Sequence, residues 1–520
     1  MIRHSGVALT ALLAALLLWA PLPFGGVTTW AEASLQVLAF CALALAMLVV
    51  ERPAELLPVA LPAAALAAVA LLGFIQSLPW PEGLVSFLSP AHARLHDQVA
   101  ALLGDGGTGN LGGFGNVAGA GPARFSVAPS ATRAAALTWA AAAACLLAGA
   151  AAGRRRYRRR WLGGAVLASA LVQVFLGARN ANAGVRTLWG VEVPVTADRL
   201  RGTFFNPNHL AVYLEMALAL AFAWGWWASR RARSELAADR RVLALVPPAL
   251  VWMTLFGGLA FTASRGGQAA VLAAIVVQGA LLATVQRRRR WAPVLLGAAA
   301  AGAGIAAALA MGLRAGPARM LATLPTDVSL GARHQAWSAT LELWRTFPIT
   351  GSGLGTFRDA FPLVQPANLD GTWWHAHSAP LELLATTGLA GPLLIAAGLA
   401  ALVLRLLQVL RRGRRSEDRA AGLAVLGALT AVGIHECFDF GLTLPANALT
   451  LAVLVGAACS ARLASAPPAA GPVAIVGAGQ VDAARKQGTA GDRLDLEQVK
   501  ALRKRGIQRK GLPRRDGEGS

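Results

Sequence analysis

Along this chain, apolar stretches of about 20 residues alternate with short polar connections, and about 20 residues is what a helix needs to cross a bilayer. The runs lie near 7–24, 33–50, 54–74, 133–152, 161–178, 208–228, 242–262, 268–286, 291–313, 379–405, 420–437 and 446–462. They predict an all-α polytopic membrane protein with about 12 transmembrane helices. The first run follows Arg3 and His4, as a signal peptide's would. The only nearby A-x-A-like site, Ala31-Glu32-Ala33, lies too far beyond the apolar stretch, so an uncleaved first span is expected.

Charge sets the orientation. Arginines cluster between the apolar runs, from Arg154 to Arg160, Arg230 to Arg241, Arg287 to Arg290 and Arg411 to Arg419. With the amino terminus inside, about twelve crossings keep every block in the cytoplasm, as the positive-inside rule requires. The opposite side then receives 25–32, 75–132, 179–207, 263–267, 314–378 and 438–445. Within 75–132 the Gly-rich tract from Gly104 to Gly121 reads as flexible. Within 314–378, the stretch from Arg333 to Phe347 carries Trp337, Leu341 and Trp344 at helical spacing, ended by Pro348. That pattern fits an amphipathic helix in the membrane interface, or equally a packed lid helix without lipid contact.

Composition agrees. Only 14% of the 520 residues are charged, against about 25% in a soluble domain, and mean hydropathy is +0.53. A water-soluble enzyme, a disordered chain and a disulfide-stapled secreted domain are thereby excluded. The net charge of +22 would suit nucleic acid, but its placement in short loops is that of topology, so no nucleic-acid partner is expected. Cys41, Cys145, Cys437 and Cys459 sit in apolar surroundings without metal or C-x-x-C spacing and read as small helix hydrophobes. The tail 463–520 holds all the lysines. Its VAIVGAGQVDAA segment imitates a dinucleotide-binding turn, but Asp482 stands where the third glycine belongs and too little chain follows to build the sheet.

Ionisable residues at the ends of apolar spans are costly and point to a site. Four clusters fall on the non-cytoplasmic side. Arg201 to His209 leads into Tyr213 and Glu215. A helix starting at Pro207 and capped by Asn206 puts Asn208, Val212 and Glu215 on one face, with its N-terminal dipole favouring an anion. Capping plus an interfacial arginine is the plainer reading, although it leaves Glu215 unexplained. Ser264-Arg265-Gly266-Gly267 is a one-turn connection whose arginine offers a bidentate fork for phosphate, or simply snorkels. Trp373 to Ser378 holds His375 and His377 and continues to Glu382, with Ser378, Glu382 and Thr386 on one stripe. These histidines suit general-base work more than metal binding, since no Cys or Asp constellation completes a metal site; anchoring at the interface is the alternative. His435-Glu436 and Asp439, followed by Pro445-Ala446-Asn447, need partners, with structural pairing to an arginine slightly favoured over chemistry. Gly351, Gly353 and Gly355 read as a flexible turn rather than a phosphate loop.

At these clusters the chain resembles the superfamily of O-antigen ligases and polymerases, bacterial inner-membrane glycosyltransferases. The G-T-F-x-N-x-N-H-x-A-x-Y-L-E pattern is Gly202 to Glu215, and S-R-G-G is Ser264 to Gly267. R-x-x-x-W is Arg333 to Trp337, F-P-L-x-G-x-G-x-G-T-F is Phe347 to Phe357, H-A-H-N is His375 to Ser378, and the closing H-x-x-x-D-F is His435 to Phe440. Ser378 replaces the usual Asn, Thr386 the usual Glu, and Ile349-Thr350 a more apolar pair.

The resemblance implies a GT-C-like fold. Residues 1–199 would hold the amino-terminal transmembrane helices with the periplasmic loop 75–132. Residues 200–462 would be the catalytic membrane core with periplasmic loop 314–378, and 463–520 a basic, disordered cytoplasmic tail. The implied donor is an undecaprenyl-diphosphate-linked glycan. The implied acceptor is lipid A–core in a ligase, or another lipid-linked repeat in a polymerase, and no metal or other cofactor is expected. Carried over by motif, Arg201, Arg265 and Arg333 hold the diphosphate, and His377 is the base with His375 assisting. Asn206, Asn208, Glu215, Glu382 and Asp439 support the site. A transporter or lipid flippase is the reading from another class.

Overall fold

The computed structural model describes residues 2–103, 109–110, 116–117, 122–185, 187–192, 199–232, 237–285 and 328–464. The Arg287 to Arg290 block, the span expected near 291–313, residues 314–327 and the tail beyond 464 with its dinucleotide-like turn lie outside them, as does most of the Gly-rich tract.

The described chain is helical. In order it forms α1 (Ile2–Trp19), α2 (Thr29–Val49), α3 (Leu57–Ser77), α4 (Glu82–Leu88), α5 (Pro90–Leu103), α6 (Pro129–Gly153), α7 (Arg156–Asn182) and α8 (Pro207–Ala232). There follow α9 (Ala238–Phe261), α10 (Arg265–Val285), α11 (Val328–Thr346), α12 (Phe357–Ala360), α13 (Ala379–Thr387), α14 (Ala390–Arg412), α15 (Ser416–Glu436) and α16 (Pro445–Cys459). Among the described residues, the strands are two minimal hairpins, Gly109–Asn110 with Asn116–Val117 and Thr187–Leu188 with Val191–Glu192. Among the described residues, eight helices, α2, α3, α6 to α10 and α14, are long and apolar enough to cross a membrane, and α1 and α16 are shorter apolar helices. This is an all-α, multi-pass membrane protein.

Small residues let the central helices approach closely. α6 packs against α2, α3 and α16. A Cβ on Gly149 would stand 2.5 Å from the Val453 carbonyl oxygen, and one on Gly153 would stand 2.5 Å from Ala457 Cα. From the other side, a Cβ on Gly456 would meet the Leu146 carbonyl oxygen at 2.1 Å. Gly149 and Gly153 form a G-x-x-x-G pair, the spacing that lets helices touch backbone to backbone where lipid supplies no hydrophobic drive. α15 begins with Glu417 and Asp418 and is packed among α8, α10 and α14.

The bundle has two chemically distinct ends. At one, the α6–α7 and α14–α15 turns meet through Arg159–Asp418 and Arg160–Glu417 ion pairs, and Arg154 pairs with Glu55 ahead of α3. α15 starts there and ends at His435 and Glu436, about 30 Å away by helix rise. The arginine turns and the histidines therefore lie at opposite ends.

Two expectations need correction. The run 379–405 is not one helix but α13 and α14, broken at Gly388 with φ +61°. The Gly351 to Gly355 segment is not a loose turn, because it fills that break. Ser352 N donates to the Ala385 carbonyl at 3.0 Å and Gly353 N to the Thr386 carbonyl at 3.0 Å. Gln76 Nε2 of α3 donates to the Thr350 and Thr386 carbonyls at 2.7 and 3.0 Å, while its Oε1 accepts Leu354 N at 2.9 Å. Carbonyls orphaned by the helix end are thus satisfied inside the protein, the condition for irregular backbone between membrane helices. Nearby, α11 buries Ala336, Ala339 and Leu343 against Phe347, Phe357 and Phe361. One face of this helix is thus packed on protein, as either reading offered for it allows.

Candidate active site

The site is built where α8 enters the bundle. Asn206 caps it, accepting Asn208 N at 2.9 Å, with Pro207 first in the helix. The expected face of Asn208, Val212 and Glu215 turns toward the α15–α16 hairpin. Asn208 Nδ2 donates to Asp439 Oδ2 at 2.8 Å, Val212 packs where Gly441 leaves room, and Glu215 Oε1 lies 2.6 Å from His435 Nδ1. Glu215 sits about 12 Å below the helix start and is wholly buried. Capping alone does not explain a carboxylate there, but the histidine does.

Asp439 is the hub. It is 1% exposed. Its Oδ1 accepts Phe440 N at 3.0 Å and lies 3.6 Å from His377 Nδ1; its Oδ2 lies 3.9 Å from His435 Nε2. Burial alone would raise this carboxyl, but His377, His209 and His435 around it prevail and hold it below the ordinary carboxylate range. It is an anion at any physiological pH. The reading that favoured an arginine as its partner is replaced by one in which imidazoles and Asn208 surround it.

The two histidines of the third cluster each face a different acid. His375 Nδ1 lies 2.9 Å from Glu382 Oε1, and Glu382 Oε2 accepts Ala376 N at 2.9 Å, so α13 pins the loop that precedes it. His377 has φ +52°, a conformation costly for a non-glycine residue. It is held there by Trp337 Nε1 donating to its carbonyl at 3.2 Å and by Ala379 N donating to the Asp439 carbonyl at 3.1 Å. Phe440 separates the pair: the His375 ring stacks on it at 4.1 Å and the His377 ring meets it edge-on at 4.9 Å. The Nδ1 atom of His377 is buried while the side chain keeps 26% exposure, so the open edge of the ring is the Nε2 side.

The three arginines come from three elements. Arg201 lies in a segment clamped by Leu200 N donating to the Phe261 carbonyl at 2.9 Å and by Thr203 N donating to Gln173 Oε1 at 2.8 Å. Arg265 opens α10 at a turn that touches the histidine network. Ser264 Oγ is 3.5 Å from His435 Nε2, and a Cβ on Gly266 would stand 3.0 Å from the His435 ring. Arg333 of α11 donates from Nη1 to the Phe438 carbonyl at 2.9 Å, bringing that helix onto the hairpin beside Asp439. Among the described residues no three His, Cys, Asp or Glu side chains are grouped to hold a metal ion.

Several residues beyond those named as site residues from the sequence complete this arrangement. His435 links Glu215 to the Ser264 turn, His209 packs edge-on against Phe440 at 4.8 Å, and Asn447 Nδ2 ties the His209 and Gly441 carbonyls at 3.1 and 2.9 Å. Arg199 orients Asn208, donating from Nη2 to its Oδ1 at 2.7 Å and from Nε to the Thr262 carbonyl at 2.8 Å. The R-x-R spacing with Arg201 was the available signal.

Residues 249–396 match the family model described as O-antigen ligase, so this segment is similar to that family. The match runs from α9 to the first part of α14 and includes Arg265, Arg333, His375, His377 and Glu382. Asn208, Glu215, His435 and Asp439 reach the same site from outside the match, and Arg201 lies in the segment that leads into α8. No curated protein matches the chain.

Proposed function

We propose that this protein is a glycosyltransferase of the bacterial inner membrane that moves a glycan from undecaprenyl diphosphate to lipid A–core on the periplasmic side. The observation that carries the mechanism is the buried Asp439 carboxylate facing His377 Nδ1. A carboxylate on that side favours the tautomer with the proton on Nδ1 and leaves Nε2, on the open edge, free to accept one. The acceptor hydroxyl gives its proton to Nε2 as its oxygen forms a bond to the anomeric carbon. The bond from that carbon to the diphosphate oxygen breaks on the opposite face, and undecaprenyl diphosphate departs with the electron pair. Arg201, Arg265 and Arg333 meet the charge that develops there, a task in which fixed cations in a water-poor mouth are effective. His375, fixed by Glu382, orients the acceptor side.

Transfer by purified protein from a defined lipid-linked donor tests this. A positioned base contributes about 10²–10⁴-fold, so His377→Ala lowers the rate by that factor with folding intact. Near-normal transfer by that variant removes His377 from the chemistry. Arg265→Lys loses the bidentate fork and lowers turnover; unchanged donor affinity and rate argue against a diphosphate contact. Supplying lipid A–core and lipid-linked repeats as competing acceptors separates ligase from polymerase.

A further inference from the structure

At the end of the bundle opposite the histidines, the α6–α7 turn, the α14–α15 turn and the segment after α16 enclose a basin of about 410 Å3 lined by eight arginines, Tyr157 and Asp418. A second basin of about 640 Å3 adjoins it, shares Arg154, Arg155 and Arg462, and reaches Val49 and Ala151 at the ends of α2 and α6. The concavity is fixed by backbone: Arg414 N donates to the Arg462 carbonyl at 3.1 Å and Ala464 N to the Arg412 carbonyl at 2.8 Å. Three of the acids here are engaged, Asp418 with Arg159, Glu417 with Arg160 and Glu55 with Arg154, while Glu51, exposed at the rim of the second basin, is the one further carboxylate among its lining residues. Arg155, Arg414 and Arg462 are exposed and, among the described residues, have no ion-pair partner. The N-terminus of α7 also opens here without a side-chain cap, adding the positive end of a 27-residue helix.

Topological charge bias accounts for arginines near helix ends, but not for their convergence on one concave, under-neutralised site. We propose that the joined basins bind the headgroup of an anionic membrane lipid carrying two phosphates, with its acyl chains descending beside α2 and α6. Two adjoining basins sharing one arginine wall suit two linked phosphates. The apolar ends of α2 and α6 at the second basin favour a lipid over a soluble diphosphate. Basic pockets between helix ends are a general form of lipid recognition.

The test is native mass spectrometry of the full chain in detergent, with tetraoleoyl cardiolipin, dioleoyl phosphatidylcholine and inorganic pyrophosphate as probes. The wild type is expected to retain one cardiolipin in preference to phosphatidylcholine. Arg155→Gln/Arg414→Gln/Arg462→Gln, which leaves the Arg159–Asp418 pair in place, is expected to retain it about 100-fold less well. Unchanged retention by the variant, or equal retention of phosphatidylcholine, overturns the proposal. Displacement of cardiolipin by pyrophosphate assigns the basin to soluble phosphates and overturns the lipid assignment. Should the triple variant fail to fold, the wild type decides: retention must fall as salt rises from about 0.05 to about 0.5 M, and a salt-independent cardiolipin complex is incompatible with this site.

Discussion

His92 sits between aromatic rings where a charge has no place. On α5 it is 4% exposed, with its ring 4.5 Å from that of Phe347 and its Nδ1 2.8 Å from Ser89 Oγ. Burial lowers its pKa from 6.5 to about 4. The unfolded chain therefore takes up the proton first, so the stabilisation is full above about pH 6.5 and drains away as pH falls towards 4. The loss reaches about 3 kcal/mol below that range. The thermal midpoint of the wild type should drop more steeply between pH 7 and 4.5 than that of His92→Phe, and parallel curves would contradict the burial argument. The same contrast explains what the sequence made legible. Asn208, Glu215 and Asp439 stood out because polar groups at apolar helix ends demand partners. Which groups pair was not legible, since His435 meets Glu215 across 220 positions of chain and no local pattern records such a pairing. Arg199 was hidden for a different reason: its worth lies in orienting Asn208, a neighbour in space through a loop rather than on a helix face.

Hydropathy located the spans at the scale of elements because lipid selects length and apolarity, which composition reports directly. It failed where apolarity stayed continuous while the backbone changed course. The run through α13 and α14 contains Thr386-Thr387-Gly388 and Gly391-Pro392, enough to allow a break but not to require one. What requires it is the segment from Ile349 to Leu354, whose amides and Gln76 occupy the α13 carbonyls. Gly388 is the position where this is most exposed to change. Its φ of +61° with ψ of −157° is open only to glycine, and a Cβ would stand 2.2 Å from the Ile349 carbonyl oxygen. Gly388→Ala combines strain of about 1–3 kcal/mol with a backbone clash. We expect a lower thermal midpoint and loss of transfer, because α13 carries Glu382 and through it His375. Gly398→Ala, at a position within α14 where the nearest atom to a new Cβ is the methyl of Ala65 at 3.0 Å, should cost much less; equal losses from the two substitutions would show that the break has no special demand for glycine.

For the whole molecule, function depends on which end of the bundle faces out. α15 connects the arginine turns to the histidines, so a single measurement of sidedness fixes both. The proposed function has the arginine turns in the cytoplasm, as the positive-inside rule expects, and the histidines in the periplasm, where a lipid-borne glycan and its acceptor would meet. The chain carries its own reporter: Cys437 is exposed at the hairpin between α15 and α16, whereas Cys145 and Cys459 are buried. Cys41 is exposed but lies within α2, and Cys41→Ala removes it from the measurement. In that background an impermeant thiol reagent applied to intact spheroplasts should modify Cys437. An additional Arg412→Cys, at the exposed end of α14, should react only after the membrane is opened. The reverse pattern would turn the histidine site toward the cytoplasm and leave the proposed transfer without access to its substrates. It would also put the arginine basin in the outer leaflet, so the same two labels judge the setting of both sites while leaving their separate binding and transfer tests independent.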